Sequence, residues 1–208
     1  MESRAKLLGH PIHQMLIVFP LGLLVSSVIF DILYLTTGNE LFPAIAFYNI
    51  AGGLIGGLIA AIFGFIDYRH IPNDTRAKKI GRAHGFGNLV VMLFFSFSWL
   101  IRANIPGYLP ETLSQTLSFL GLAVGGFTAW LGGELVDRLG VGVDPGANLN
   151  APSSLSGEPA APTNVRSQQA VPVTGTEQSR LKEVATETRD DFVQEDMEDV
   201  PPKVIDEP

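Results

Sequence analysis

The stretch LLGHPIHQMLIVFPLGLLVSSVIFDILYL, residues 7–35, decides the fold class of this 208-residue chain. After two histidines and a proline it is almost wholly apolar to its end. A bilayer core about 30 Å thick needs about 20 apolar residues in a spanning helix, so this stretch predicts a transmembrane helix. A cleaved signal peptide is the alternative, but the apolar run is too long and contains Pro20 and Asp31. We therefore expect a retained helix.

Three further apolar stretches follow, and the predicted spans cover about residues 11–35, 42–68, 84–101 and 113–136. This pattern predicts an all-α polytopic membrane protein, a four-helix transmembrane bundle over residues 1–145. Small residues that recur every fourth position in the second and fourth spans favour close helix packing. These small residues are Gly52, Gly56, Ala60, Gly64, Gly121, Gly125, Ala129 and Gly133. Their spacing leaves open whether they pack within one chain or between copies in a homo-oligomer.

The acidic charge of the chain lies in its last part. Residues 1–145 carry nine basic and nine acidic side chains, whereas residues 146–208 carry five and twelve, a net charge of −7. This last part is rich in Pro, Ser, Ala and Gly and has few large apolar residues, so we expect a disordered acidic tail. Docking of a soluble protein partner is a further use of such a tail. The lack of a basic excess argues against nucleic acid as a partner.

Basic residues indicate how the bundle sits in the membrane. Eight lie at one side of the predicted bundle, and Arg102 alone lies at the other. The eight are Arg4, Lys6, Arg69, Arg76, Lys78, Lys79, Arg82 and Arg138. The positive-inside rule then predicts cytoplasmic N and C termini in the cell inner (plasma) membrane.

Polar residues converge on the same predicted side. They are His10, His13, Asp67, His70, His84, Asn88 and Glu134. Pro11 favours a helix start, so we expect His10 and His13 to share a helix face about one turn apart. His84 and Asn88, four residues apart, are expected to share a face of the third span. Plain solvation at the helix ends is the alternative for all of these side chains.

The chain has no cysteine, so disulfides and thiolate-held metals or clusters are excluded, and a cofactor must be held by other side chains. Our first hypothesis is a redox-associated membrane subunit that binds haem b or a divalent metal. For haem, His10 or His13 would be one axial ligand and His84 the other, with Asn88 beside it. For a metal, the expected ligands are His10, His13, His84 and Glu134.

Two alternatives stay open. The first is a non-catalytic membrane scaffold or assembly factor, in which the histidines anchor helix ends and the acidic tail recruits a partner. The second is a small proton-coupled transporter, since histidines titrate near neutral pH. No phosphate-binding glycine loop or recognisable catalytic triad is present, so an enzyme is not expected. Two charges are expected to be structural: Asp31 as a lone carboxylate at a span end, and Glu134 paired with Arg138.

Three motifs carry a family resemblance: GHPIHQMLIVFPLG at residues 9–22, AHGFGN at 83–88 and WLGGELVDRLGVGVD at 130–144. Together they resemble the predicted membrane proteins grouped as domain of unknown function 2231, over about residues 5–145. The resemblance implies a four-helix membrane domain without an established biochemical role, and it singles out His10, His13, His84 and residues 132–134. Some relatives carry a fused Rieske-type iron–sulfur domain, which implies electron transfer near a membrane; no such domain is present in this chain.

Overall fold

A computed structural model describes residues 1–160. The described part is mostly helical, and four of its helical segments are long and apolar enough to cross a membrane. The elements are β1 (Lys6–Leu7), β2 (His10–Pro11), α1 (Ile12–Leu16), α2 (Val18–Thr37), α3 (Leu41–His70), α4 (Arg76–Ala103), a 3₁₀ turn (Pro106–Tyr108), α5 (Thr112–Gly133) and a π-helical turn (Glu134–Arg138). The predicted all-α, four-span fold is confirmed.

The first span begins one residue later than its proline suggested. Leu8 and Gly9 have positive φ angles of 51° and 84°, and they fold the chain back so that Leu7 pairs with His10 in a two-stranded hairpin. Pro11 is extended, with φ −62° and ψ 119°, and the helix starts at Ile12. The prediction that His10 and His13 share a helix face is therefore wrong, because His10 lies in β2.

The first span is interrupted between α1 and α2 at Ile17. Pro20 has no backbone N–H, so the carbonyl of Leu16 loses its usual partner four residues on. The break therefore lies one turn before the proline that accounts for it. It separates the short helix that carries His13 from the long α2.

The third span starts two turns earlier than predicted, at Arg76 instead of His84. Thr75 caps it, since its Oγ1 accepts a hydrogen bond from Lys78 N at 3.1 Å. The Ala, Lys and Arg residues that follow are good helix formers, so the helix continues through a stretch that its charge had marked as a loop. The connection from α3 is then only residues 71–75.

The helices pack as two hairpins, α2 with α3 and α4 with α5, and α3 also contacts α4 while α2 contacts α5. Glycines make these contacts close: a Cβ on Gly53 would lie 2.6 Å from Leu24 Cδ2, and one on Gly121 would lie 2.7 Å from Phe95 Cε2. These glycines therefore pack within one chain. The core cluster comprises Leu24, Val28, Ile50, Val91 and Phe95.

The outer surface of the bundle is apolar, as a lipid-embedded protein requires. Large hydrophobic side chains such as Ile55, Phe86 and Phe127 are more than 60% exposed, which suits a surface that would face lipid. At one end of the bundle the N-terminal segment meets the segment after α5, since Gly142 N donates to the Met1 carbonyl at 2.8 Å. Residues 146–160 contain no helix or strand. The rest of the predicted disordered tail, residues 161–208, lies outside the described residues.

Candidate functional site

One end of the bundle carries His13 in a defined setting on α1; we call it the histidine end. His13 Nδ1 lies 2.8 Å from the carbonyl oxygen of Ala60 on α3. Because a carbonyl can only accept, Nδ1 carries the hydrogen, and in the neutral ring Nε2 has the lone pair. One turn along α3, a Cβ on Gly64 would come within 2.8 Å of the imidazole. The ring is therefore seated on a glycine and oriented by a backbone carbonyl.

His84 has the same arrangement on α4. Its Nδ1 lies 2.9 Å from the carbonyl oxygen of Thr128 on α5. One turn further on, a Cβ on Gly132 would lie 3.1 Å from His84 Cε1. By the same reasoning Nδ1 is the donor and Nε2 the acceptor. His13 and His84 also lie near enough to each other to interact electrostatically.

Asn88 lies beside His84, as their four-residue spacing predicts. Its Nδ2 lies 3.1 Å from His84 Nε2 and 3.0 Å from the His84 carbonyl. Its Oδ1 lies 3.0 Å from Thr128 Oγ1. Because the carbonyl needs a donor, the amide nitrogen faces His84, and Asn88 covers that imidazole's lone pair. His13 Nε2 has no hydrogen-bond partner in residues 1–160.

The other predicted site residues lie elsewhere. His10 is exposed on β2, with Nε2 3.3 Å from Ser154 Oγ. Glu134 accepts a hydrogen bond from Arg76 Nη2 at 2.6 Å, so its expected pairing with Arg138 is wrong. The early start of α4 and the π-helical turn after α5 bring these two residues together.

No group of three or more His, Asp and Glu side chains within residues 1–160 is placed to hold a metal ion. A metal bound by all four predicted ligands, His10, His13, His84 and Glu134, stays a prediction. The structure gives two of the predicted ligands, His13 and His84, equivalent surroundings. In its neutral form each ring has an Nε2 lone pair, which Asn88 covers at His84.

The opposite end of the bundle, which we call the ion-pair end, carries a group that sequence reasoning missed. Arg102 Nη1 and Nη2 each donate to an Asp31 carboxylate oxygen at 2.6 Å, and both side chains are fully buried. Ser98 Oγ accepts from Arg102 Nε at 3.2 Å. Asp31 is therefore not a lone carboxylate. The signal was present in the sequence as opposite charges near the same end of the first and third spans.

Histidines that ligate metals generally donate their other ring N–H to a carbonyl or carboxylate, which fixes the tautomer and the ring orientation. His13 and His84 both meet that condition through a neighbouring helix. Such nitrogens can ligate iron or another metal, and they can also accept a proton. The two histidines therefore share one structural feature of metal-ligating histidines, the oriented Nδ1–H donor.

The comparison with protein families agrees with the fold. The family model described as predicted membrane protein (DUF2231) matches residues 9–145. No curated protein and no solved structure matches the chain. The matched range contains all four spans, both imidazoles and the buried ion pair. The chain is an integral membrane protein and belongs to the DUF2231 family.

Proposed function

We propose that this protein is a haem-binding, redox-associated membrane subunit in which His13 and His84 are the two axial ligands. The observation that carries the proposal is the matched setting of the two imidazoles. Each Nδ1 is held by a carbonyl of the neighbouring helix, at 2.8 and 2.9 Å, and each Nε2 keeps its lone pair. Haem iron takes two such ligands when the cofactor transfers electrons, and bundle cores supply them from facing helices.

A haem suits this site better than a divalent metal because it needs only two protein ligands. A bare divalent ion takes three or four, and no such group is assembled among the described residues. When bound, haem would supply one-electron chemistry. The protein would hold its iron, and the Nδ1 hydrogen bonds would fix the orientation of both imidazoles.

Asn88 would have a distinct role in this proposal. Its amide donates to His84 Nε2 across 3.1 Å, so it competes with a metal for that lone pair. Ligation by His84 then requires the Asn88 side chain to rotate away, whereas His13 is free to ligate. An Asn88→Ala variant should bind haem at least as readily as the natural sequence.

The proposal is tested by the absorbance spectrum of the full-length protein, purified in detergent after expression with haem supply. We expect a Soret band in the natural protein and its loss in His13→Asn and His84→Asn. Asparagine places an amide donor near the position of Nδ1, so the helix–helix hydrogen bond is kept while the Nε2 ligand is removed. Matched controls are His10→Asn and His70→Asn, two exposed histidines that should leave the band unchanged. A folded natural protein without a Soret band would reject the proposal.

The second candidate is a non-catalytic scaffold. The same hydrogen bonds favour it, because they can serve only to hold helices together: His13 links α1 to α3, and His84 links α4 to α5. In that case His→Asn variants keep both stability and function, and removing residues 145–208 abolishes partner binding without affecting insertion. A proton-coupled transporter has less support: within the described spans the fully buried charges Asp31 and Arg102 neutralise each other.

We also propose that the histidine end faces the cytoplasm of the cell inner membrane, since most Lys and Arg residues lie at that end. The absence of cysteine makes this directly testable. A single cysteine at Lys79 should react with a membrane-impermeant maleimide only after cells are opened, whereas one at Asn39, between α2 and α3, should react in intact cells. The reverse pattern would overturn the orientation.

A further inference from the structure

Equivalent residues recur in the first helix of each hairpin at a constant separation. Four pairs lie 71 positions apart: His13 and His84, Leu24 and Phe95, Ser27 and Ser98, and Asp31 and Arg102. The first pair consists of the two oriented imidazoles. Both members of each of the other three pairs are buried. Equivalent positions of α1–α2 and α4 therefore carry the oriented histidine, a buried core side chain and a buried charged side chain.

The second helix of each hairpin shows the same correspondence at a separation of 68. The pairs are Ala46 and Ser114, Ile50 and Ser118, Gly53 and Gly121, Ala60 and Thr128, and Gly64 and Gly132. Both members of the first four pairs are buried. From Asp31 to Ala46 is 15 positions and from Arg102 to Ser114 is 12, so the second hairpin is three residues shorter between the paired positions of its two helices. Most pairs consist of two different residue types, so what corresponds between the hairpins is the position of the residues and not their identity.

The contacts repeat as well as the positions. Ala60 and Thr128 offer the carbonyl that holds the histidine of their own hairpin. Gly53 packs on Leu24 as Gly121 packs on Phe95. Between hairpins, α3 contacts α4 and α2 contacts α5, and exchanging the two hairpins converts one of these contacts into the other.

We infer that the membrane domain consists of two copies of one helical hairpin related by a pseudo-two-fold axis along the helices, and that this axis defines a single ligand site. Both copies start at the histidine end, so the two imidazoles face each other across the axis there, and Asp31 meets Arg102 across it at the ion-pair end. The assignment of the ligand rests on the proposed function: one haem per chain, with one equivalent axial ligand from each copy. The inference that the domain is a repeat does not rest on the proposed function.

The surroundings of the ion pair make the repeat testable. Arg102 Nε reaches Ser98, four residues earlier, and its Nη2 lies 3.4 Å from Ser118 Oγ. If the copies are equivalent, an arginine at position 31 finds Ser27 four residues earlier but meets Ile50 where Arg102 meets Ser118. Exchanging the charges and also exchanging Ile50 with Ser118 should then rebuild the polar setting in the other copy.

The experiment is a cycle of full-length variants whose thermal unfolding midpoint is measured in detergent. The backgrounds are the natural chain and the charge exchange Asp31→Arg with Arg102→Asp, each with and without the exchange Ile50→Ser with Ser118→Ile. We expect the polar exchange to lower the midpoint in the natural chain and to raise it in the charge-exchanged chain. This change of sign measures the coupling between the two sites.

If the polar exchange lowers the midpoint in both backgrounds, or if neither charge-exchanged chain folds, the repeat is overturned. The haem assignment has its own readout, which is one haem per chain and equal loss of the Soret band in His13→Asn and His84→Asn. A sign change without any Soret band would keep the repeat and reject the proposed function. A Soret band without the sign change would keep the proposed function and overturn the repeat. Unequal loss of the Soret band in His13→Asn and His84→Asn would overturn the shared ligand site.

Discussion

The two ends of the bundle place polar groups in an apolar protein in opposite ways. At the ion-pair end, Asp31 and Arg102 are fully buried and satisfy each other with two hydrogen bonds. At the histidine end, His13 and His84 are only partly buried, and each donates from Nδ1 to a backbone carbonyl. Asn88 covers His84 Nε2, whereas His13 Nε2 has no hydrogen-bond partner within residues 1–160. A fully satisfied buried pair fixes a structure. A ring with one nitrogen still available can also bind.

The largest effect is expected at the ion-pair end. Arg102→Ala leaves the Asp31 carboxylate buried without its partner, which should cost about 3–5 kcal/mol in the free energy of unfolding. Chemical unfolding in detergent, followed by circular dichroism, measures this. Arg138→Ala, at an exposed position, is the matched control and should change little. Equal effects would contradict the structural role assigned to the ion pair.

A smaller effect is expected at the histidine end, from the glycine on which His13 lies. Gly64→Ala places a Cβ within 2.8 Å of the imidazole, so the ring or α1 must shift. Such overpacking costs about 1–3 kcal/mol and should also weaken the proposed haem binding. Gly126→Ala is the control, because nothing lies within 4 Å of its added Cβ. If both variants bind haem equally, the contact between Gly64 and His13 does not position the ligand.

The cap of α4 should contribute about as much as an ordinary helix cap. Thr75→Ala removes the acceptor of the Lys78 N hydrogen bond, with an expected loss of about 1 kcal/mol. Thermal unfolding of the purified protein measures the loss, and Thr75→Ser, which keeps the hydroxyl, should restore most of it. If Thr75→Ser is as unstable as Thr75→Ala, the cap is not the reason that α4 begins early.

The smallest effect is expected for the ion pair at the surface of the histidine end. Arg76 is 57% exposed, so its bond to Glu134 is screened by solvent. Glu134→Gln should cost less than about 1 kcal/mol, and the difference should shrink as salt is added. A loss as large as that of Arg102→Ala would remove the distinction between the two ends.

Much of the fold could be predicted from local sequence. Four apolar runs of the right length, separated by short polar connections, indicate four spans, and lipid leaves the backbone few other solutions. Local signals were less reliable where capping and turn geometry decide. His10 looked like part of a helix because of Pro11, but Leu8 and Gly9 turn the chain into a hairpin. The basic residues after Thr75 looked like a loop but form the first turns of α4.

The candidate site could be predicted only in part. Its residue types and their common end followed from the spacing of the histidines and the order of the spans. The equivalence of His13 and His84 could not be predicted, because it depends on which backbone carbonyl each ring contacts. Ala60 and Thr128 carry no side-chain signal of that role, since the acceptor is the backbone.

The sequence by itself determined a four-span membrane protein with its histidines at one end, because hydropathy over about 20 residues and the alternation of spans are local properties. The sequence placed Asp31 and Arg102 near the same end of two spans, but the tertiary structure decided that they meet. It also decided that His13 and His84 each lie against a glycine and a carbonyl of the neighbouring helix. The ion pair joins residues 71 positions apart, and His13 and His84 contact carbonyls 47 and 44 positions away, in each case through the packing of separate helices. Such packing depends on the shapes of all four helices together, and glycines such as Gly53 and Gly121 set how closely they approach.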